Sequence, residues 1–452
     1  MSQPNVLIFF TDQQRADTCG CYGQALDVTP QLDRMAQEGV VFNHAMSMQP
    51  VCGPARASLM TGQYPTRTGC FRNAIGLAPH MKTMAHAMSG AGYETAYIGK
   101  WHLSSHRDSG DPERPDVDSR SSPVPPGGRG GFDDFWLASD VLEFTSTGYS
   151  GHMFAGDGSK REFPVGGYRA DVQTDWVLEY LENRSTQKPF FLVTSYIEPH
   201  HQNSSGHYEG PHGSKERWKD FAVPGDLVDT EGDWREEYPD YLGCCEALDQ
   251  GLGRVRSKLQ ELGELENTVI IYLADHGSHF KTRNGEYKRS CHDSSLHVPL
   301  VISGPGFTGG QRIDPCVSLI DVPRTVLSLG GAKLIPDMDG RDLGEIVGGC
   351  DDWPDEVFYQ ISESEVGRGI RSLQWKYYVH ALDLDPYNDS ASDVYHEACL
   401  YDLKNDPYER NNLVESPAHV ELRAELAKRL IRRMVAAGEA APEIRPKRSL
   451  AQ

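Results

Sequence analysis

Four short strand-like segments, each ending abruptly in polar or charged residues, constrain this chain more than any other feature. Residues 5–10 run into Thr11-Asp12-Gln13, residues 93–98 into Gly99-Lys100-Trp101-His102, residues 190–197 into Glu198-Pro199-His200, and residues 268–274 into Asp275-His276-Gly277. Unbroken apolar runs of this length read as strands covered on both faces, the pattern of a parallel sheet between helices. Sheets of that kind carry their sites beyond the carboxyl ends of the strands. Asp12, Lys100, His102, His200, Asp275 and His276 are therefore expected along one edge. Taken singly, a strand-end Asp caps or turns, and a Lys or His at a sheet edge is commonly a surface group. Asp275-His276 is more specific, because an acid and an imidazole straight after a core strand are rarely there for packing.

A second constraint is Val51-Cys52-Gly53-Pro54-Ala55-Arg56-Ala57-Ser58-Leu59-Met60-Thr61-Gly62, a loop running into a helix. Pro54 is expected at the first helical position, where its fixed φ suits the helix and its missing N–H costs nothing. Cys52 then sits at a helix N-terminus, which favours an anion. Arg56, one turn on, adds a fixed positive charge. A lone Cys before a helix is usually a packed thiol; the whole string is more informative.

Cys-x-Pro-x-Arg followed by Leu-x-Thr-Gly resembles the signature of the type I sulfatases, of the alkaline phosphatase superfamily. Gly99-Lys100-Trp101-His102-Leu103, Pro199-His200, Asp275-His276-Gly277 and the segment around residues 400–413 resemble further motifs of that family, in order along nearly the whole chain. The resemblance implies that Cys52 is oxidised to formylglycine (3-oxoalanine) by a formylglycine-generating enzyme. One hydroxyl of its hydrate would attack sulfur, and His200 would protonate the leaving oxygen. Lys100, Lys288, Arg56 and a divalent cation would hold the sulfonyl oxygens, and His102 would deprotonate the second hydroxyl to expel sulfate. The implied metal set is Asp12, Gln13, Cys52, Asp275 and His276, with Ca²⁺ favoured by the oxygen ligands, Mg²⁺ as a further candidate and Mn²⁺ admitted by His276. Gln13 departs from the family, which has a second acid at that position. His292 and Arg371 are further candidates beside the site or against substrate.

The expected fold is α/β, alkaline-phosphatase-like: a large, mostly parallel mixed sheet between helices over residues 1–353, then a smaller subdomain of antiparallel strands and a helix over residues 354–452. Residues 104–131, rich in Asp, Arg, Ser, Pro and Gly, read as a lid loop. The net charge of −21 argues against nucleic acid and requires a local basic pocket for an anionic substrate. No apolar run reaches the ~18 residues of a membrane span. The N-terminus does not read as a secretory signal, so the chain as written is expected in the cytoplasm, or outside it if a signal segment was removed. The ten cysteines are too sparse for a disulfide scaffold and are expected reduced. The substrate implied is a sulfated small molecule or saccharide. Two alternatives remain: a phosphonate or phosphate ester hydrolase using the same site, and an inactive sulfated-sugar binding protein. Oligomeric state is not legible.

Overall fold

The computed structural model describes residues 3–104, 120–185 and 187–447. The principal strands of the large sheet are β1 (Asn5–Thr11), β2 (Glu94–Lys100), β3 (Phe135–Ser139), β4 (Phe190–Ser195), β5 (Thr268–Ala274) and β6 (Leu300–Ser303). They lie in the order β6–β5–β1–β4–β2–β3 within an 11-stranded sheet. Neighbours from β5 to β3 are parallel and β6 is antiparallel to β5. Every residue of β1, β4 and β5 is buried, as unbroken apolar runs require.

Alternate side chains of β1 enter two separate cores. Val6, Ile8 and Phe10 pack with Leu59 and Met60 of α2 (Cys52–Thr61) and with Val322 and Val326 of a helix at Asp321–Gly330. Leu7 and Phe9 face Leu32 of α1 (Pro30–Glu38), Trp176 of α3 (Arg169–Asn183) and Leu248 of α4 (Trp234–Glu261). Helices thus cover both faces, as expected. At the N-terminus of α1, Thr29 gives no side-chain cap, and Asp249 of α4 accepts the N–H groups of Gln31 and Leu32 at 3.0 and 2.8 Å.

The smaller C-terminal sheet contains β7 (Glu356–Ile361), β8 (Val366–Ser372), β9 (Trp375–Ala381) and β10 (Val394–Asp402), paired antiparallel in that order, with α5 (Val420–Ala436) against it. Phe358, Ile370, Tyr377, Leu426 and Leu430 belong to the same apolar core as α2, so the two sheets share one interior. Of the expected lid, residues 105–119 lie outside the described residues; Val124, on the described side, is buried in that core. All ten cysteines are free thiols. Among the described residues, no helix is long and apolar enough to cross a membrane.

Candidate active site

The site forms where β1, β2, β4 and β5 end. α2 starts at Cys52 itself, two residues before the position expected from Pro54, and Val51 is its N-cap. Pro54 therefore sits in the first turn, where an N–H would still lack a helical partner. Gly53 donates its free N–H to Asn73 Oδ1 at 2.9 Å. The fully buried α2 holds the Cys52 thiol under the sheet edge: Sγ lies 2.9 Å from Lys288 Nζ, 3.2 Å from His276 Nε2 and 3.5 Å from Asp12 Oδ1.

Arg56 ties the strand ends together. Its guanidinium meets Asp12 Oδ2 at 2.9 Å and Asp275 Oδ2 at 3.3 Å, and donates to the Lys100 carbonyl at 2.9 Å and Ser195 Oγ at 2.7 Å. Lys100 Nζ reaches the same Asp12 oxygen at 2.9 Å. Gly99 makes this approach feasible: a Cβ there would stand 2.0 Å from the Ser195 carbonyl oxygen. His102 has φ +58° and reaches the pocket through a left-handed turn. Gln13 is also left-handed, at φ +67°. Non-glycine residues hold such conformations only where their surroundings enforce them, commonly at functional sites.

The electrostatics follow from burial opposed by close charge. Burial and Cys52 push the Asp12 carboxyl up, but Lys100, His200 and Arg56 outweigh them and hold it well below the usual carboxylate range. Burial likewise raises the Cys52 thiol, yet Lys100, Lys288 and His276 bring it well below its ordinary value. Asp275 moves the other way, to about 6, because burial and the neighbouring Asp12 charge disfavour its ionised form. Burial and Lys288 depress His200 to about 4. Its Nδ1 faces the His201 carbonyl, so the neutral ring accepts at Nε2 from Lys288 Nζ at 2.9 Å.

Donor atoms of Asp12, Cys52, Asp275 and His276 all lie within 4.8 Å of one another. His276 Nδ1 is 3.0 Å from the Gly277 carbonyl; donating there fixes the tautomer and leaves Nε2 with a lone pair facing the two carboxylates. Gln13 Nε2 donates to Tyr208 Oη at 2.6 Å, which identifies its other amide atom as the available oxygen. Two buried carboxylates, one imidazole and one amide oxygen suit a divalent cation.

A cavity of about 310 Å³ opens from Cys52, lined among others by Asn73, His102, Glu143, His200, Tyr287 and Lys288. Asn73, Glu143 and Tyr208 carried no signal in the sequence, because each arrives from a loop without a strand-end pattern. The structure takes His292 and Arg371 elsewhere. His292 faces Tyr401 at 3.3 Å, and Arg371 pairs with Asp293 at 3.1 Å and with the Cys316 thiol at 3.1 Å, in an ion cluster with Lys376 between the two sheets. Burial of Arg371 is affordable there because the acid meets it, and neither side chain lines the cavity.

Fold and site define a hydrolase of the alkaline phosphatase superfamily. Residues 4–332 match the family model described as Sulfatase, and residues 285–436 match that described as N-sulphoglucosamine sulphohydrolase, C-terminal. The chain is 29% identical to an ulvan-active sulfatase of Formosa agariphila, over 97% of this chain and 82% of that protein. It is 24% identical to the N-acetylglucosamine-6-O-sulfatase of Bacteroides thetaiotaomicron, over 94% and 85%. The solved structure of YidJ from Bacteroides fragilis, named as a sulfatase, superposes with a TM-score of 0.84 over 97% of both chains at 24% identity. The chain belongs to the sulfatase family and is a sulfatase.

Proposed function

We propose that this enzyme cleaves the sulfate monoester of a carbohydrate, using formylglycine made from Cys52 by a formylglycine-generating enzyme. The observation that carries the reading is the placement of Cys52 Sγ within 3.5 Å of Lys288, His276 and Asp12 atoms at once. The names of the two curated relatives support a saccharide, as does the mainly polar cavity lining. Catalysis is assigned to residues 1–353, with residues 354–452 as the subdomain.

Asp12, Gln13, Asp275 and His276, beside residue 52, would hold a divalent cation, Ca²⁺ by preference; when bound it supplies positive charge that lowers the pKa of a neighbouring hydroxyl. Arg56 and Lys100 face Asp12, Asp275 and Glu143, and Lys288 reaches residue 52 and His200, so three cationic side chains offset three acids before any cation enters. The cation's charge is then in excess, which reconciles an anionic substrate with an acidic protein. Lys100 and Lys288 bind sulfonyl oxygens, and Arg56 fixes the two acids that frame them. One hydroxyl of residue 52, in hydrated formylglycine, loses its proton to solvent, and the resulting alkoxide attacks sulfur in line as the S–O bond to the departing alcohol breaks. His200 gives that alcohol a proton; substrate charge draws Lys288 away from Nε2 and lifts the depressed ring pKa. His102 takes the proton of the second hydroxyl, the C–O bond to sulfate breaks and the aldehyde re-forms.

The test is kcat/KM for 4-nitrophenyl sulfate, phenyl phosphonate monoester and glucose 3-sulfate, with enzyme co-expressed with a formylglycine-generating enzyme. Sulfate turnover above phosphonate turnover is expected. Preference for phosphorus would move the assignment to the phosphonate hydrolase, and tight binding of the sulfated sugar without sulfate release would make the protein a binder.

A further inference from the structure

Two carboxylates line the cavity outside the cation site and the transfer chemistry: Glu286, which is exposed and pairs with Arg289 at 2.8 Å, and Glu143, which is buried. Glu143 follows β3 in a single 3₁₀ turn, Leu142–Phe144. Gln202 Nε2 secures that turn by donating to the Glu143 carbonyl at 3.3 Å. Its side chain is only 5% exposed, with Oε2 3.4 Å from Lys100 Nζ. Lys100 has Asp12 at the closer 2.9 Å, so Glu143 is its second and looser ion-pair partner. Oε2 accepts no hydrogen bond among the described residues, and Oε1 has only Asn203 Nδ2 at 3.4 Å. Lys100, His200 and His102 keep the carboxyl well ionised despite its burial.

A charged acceptor beside the ammonium that binds sulfate repels a sulfate ester unless the ester brings a donor with it. Unmatched, the buried carboxylate is a cost to binding; matched, it makes a charge-assisted hydrogen bond. We propose that Glu143 selects the substrate by accepting a hydrogen bond from a hydroxyl or ammonium on the carbon next to the sulfated one. This rests on the sulfatase reading above and narrows its substrate to vicinal hydroxy or amino sulfates. The neighbouring carbon is specified because Glu143 stands 3.4 Å from the Lys100 ammonium assigned to the sulfonyl oxygens, so the donor it meets must sit close to the ester. Such a carboxylate admits an amino sugar or a polyol and disfavours a plain alkyl or aryl sulfate.

The experiment compares three matched probes, cyclohexyl sulfate, trans-2-hydroxycyclohexyl sulfate and trans-2-aminocyclohexyl sulfate, on the wild type, Glu143→Gln and Glu143→Met, all with residue 52 converted. Taking ratios of kcat/KM within each enzyme removes differences in the amount of active protein. Glu143→Met is expected to shrink the preference for both donor-bearing probes by about 10- to 100-fold. Glu143→Gln, which keeps an acceptor and loses the charge, is expected to retain the hydroxyl preference and lose the ammonium preference. Ratios unchanged in both variants overturn the role of Glu143 while leaving the sulfatase reading intact, since cyclohexyl sulfate is still cleaved. Should Glu143→Met not fold, an unchanged amino-to-plain ratio in Glu143→Gln overturns it alone. A wild type that cleaves none of the probes, nor 4-nitrophenyl sulfate, overturns the sulfatase reading and this one together.

Discussion

Replacing Arg56 by Met tests the electrostatic frame of the site without relying on activity. Arg56 is fully buried and neutralises Asp12 and Asp275 at 2.9 and 3.3 Å. Removing one partner of a buried ion pair costs about 3–5 kcal/mol, because the charge left behind stays desolvated. Lys100 remains on Asp12 and His276 Nε2 lies 3.5 Å from Asp275, which places the expected cost at about 3 kcal/mol. At ~2 cal/mol/K of unfolding entropy per residue, a chain of 452 residues loses about 1 kcal/mol of stability per degree near its midpoint,. The midpoint of R56M in EDTA should therefore lie about 3 °C below wild type by scanning calorimetry. A divalent cation can take over the neutralisation, so saturating Ca²⁺ should raise the midpoint of R56M more than that of wild type. Equal midpoints in EDTA, or an equal Ca²⁺ response, would refute the claim that Arg56 holds these two acids together.

Four further outcomes are expected. His200→Gln should cost ~10²–10⁴-fold in kcat on alkyl sulfates and far less on 4-nitrophenyl sulfate, whose leaving group needs no proton; equal losses on both would remove His200 as the acid. Since burial and Lys288 depress His200 to about 4, its protonated form is depleted as pH rises, so kcat/KM on alkyl sulfates should fall about tenfold per unit above that value, and a profile flat from pH 5 to 7 would contradict this. Tyr208→Phe, which frees the Gln13 amide, should weaken divalent-cation binding by about tenfold in a calorimetric titration; unaltered affinity would mean Gln13 is no ligand. Arg169→Met strands the buried Glu198, 2.8 Å away and two residues before His200, and should lower unfolding stability by about 3–5 kcal/mol in urea, whereas a change under about 1 kcal/mol would show the pair to be dispensable.

Much of this arrangement was legible because strand ends deliver the chemistry. β1, β4 and β5 are buried on both faces, so their sequences are continuous apolar runs, and the polar residue that ends each run marks the sheet edge. Lys100 and His102 share the pocket through a left-handed turn at His102, a conformation that a strand-end pattern in the sequence does not specify. The start of α2 was missed because proline is tolerated throughout a first helical turn, so Pro54 did not fix the boundary. β10 carries little strand signal in the sequence because its buried and half-buried positions alternate irregularly over residues 394–402, opposite a register shift at Tyr378 and Val379. Arg371 looked like a ligand for an anion, and its partner Asp293 is separated from it by 78 residues. Glu143 was illegible for the same reason: a glutamate in a loop acquires meaning only when folding sets it beside Lys100.

The most direct test of the account is the mass of the tryptic peptide spanning residues 35–56, from enzyme co-expressed with a formylglycine-generating enzyme, read beside sulfate release from 4-nitrophenyl sulfate. Conversion of thiol to aldehyde lowers that mass by about 18 Da and supplies the nucleophile. The account predicts that sulfate release rises in proportion to the converted fraction and vanishes in Cys52→Ala. Full turnover from protein whose Cys52 is still a thiol would contradict it.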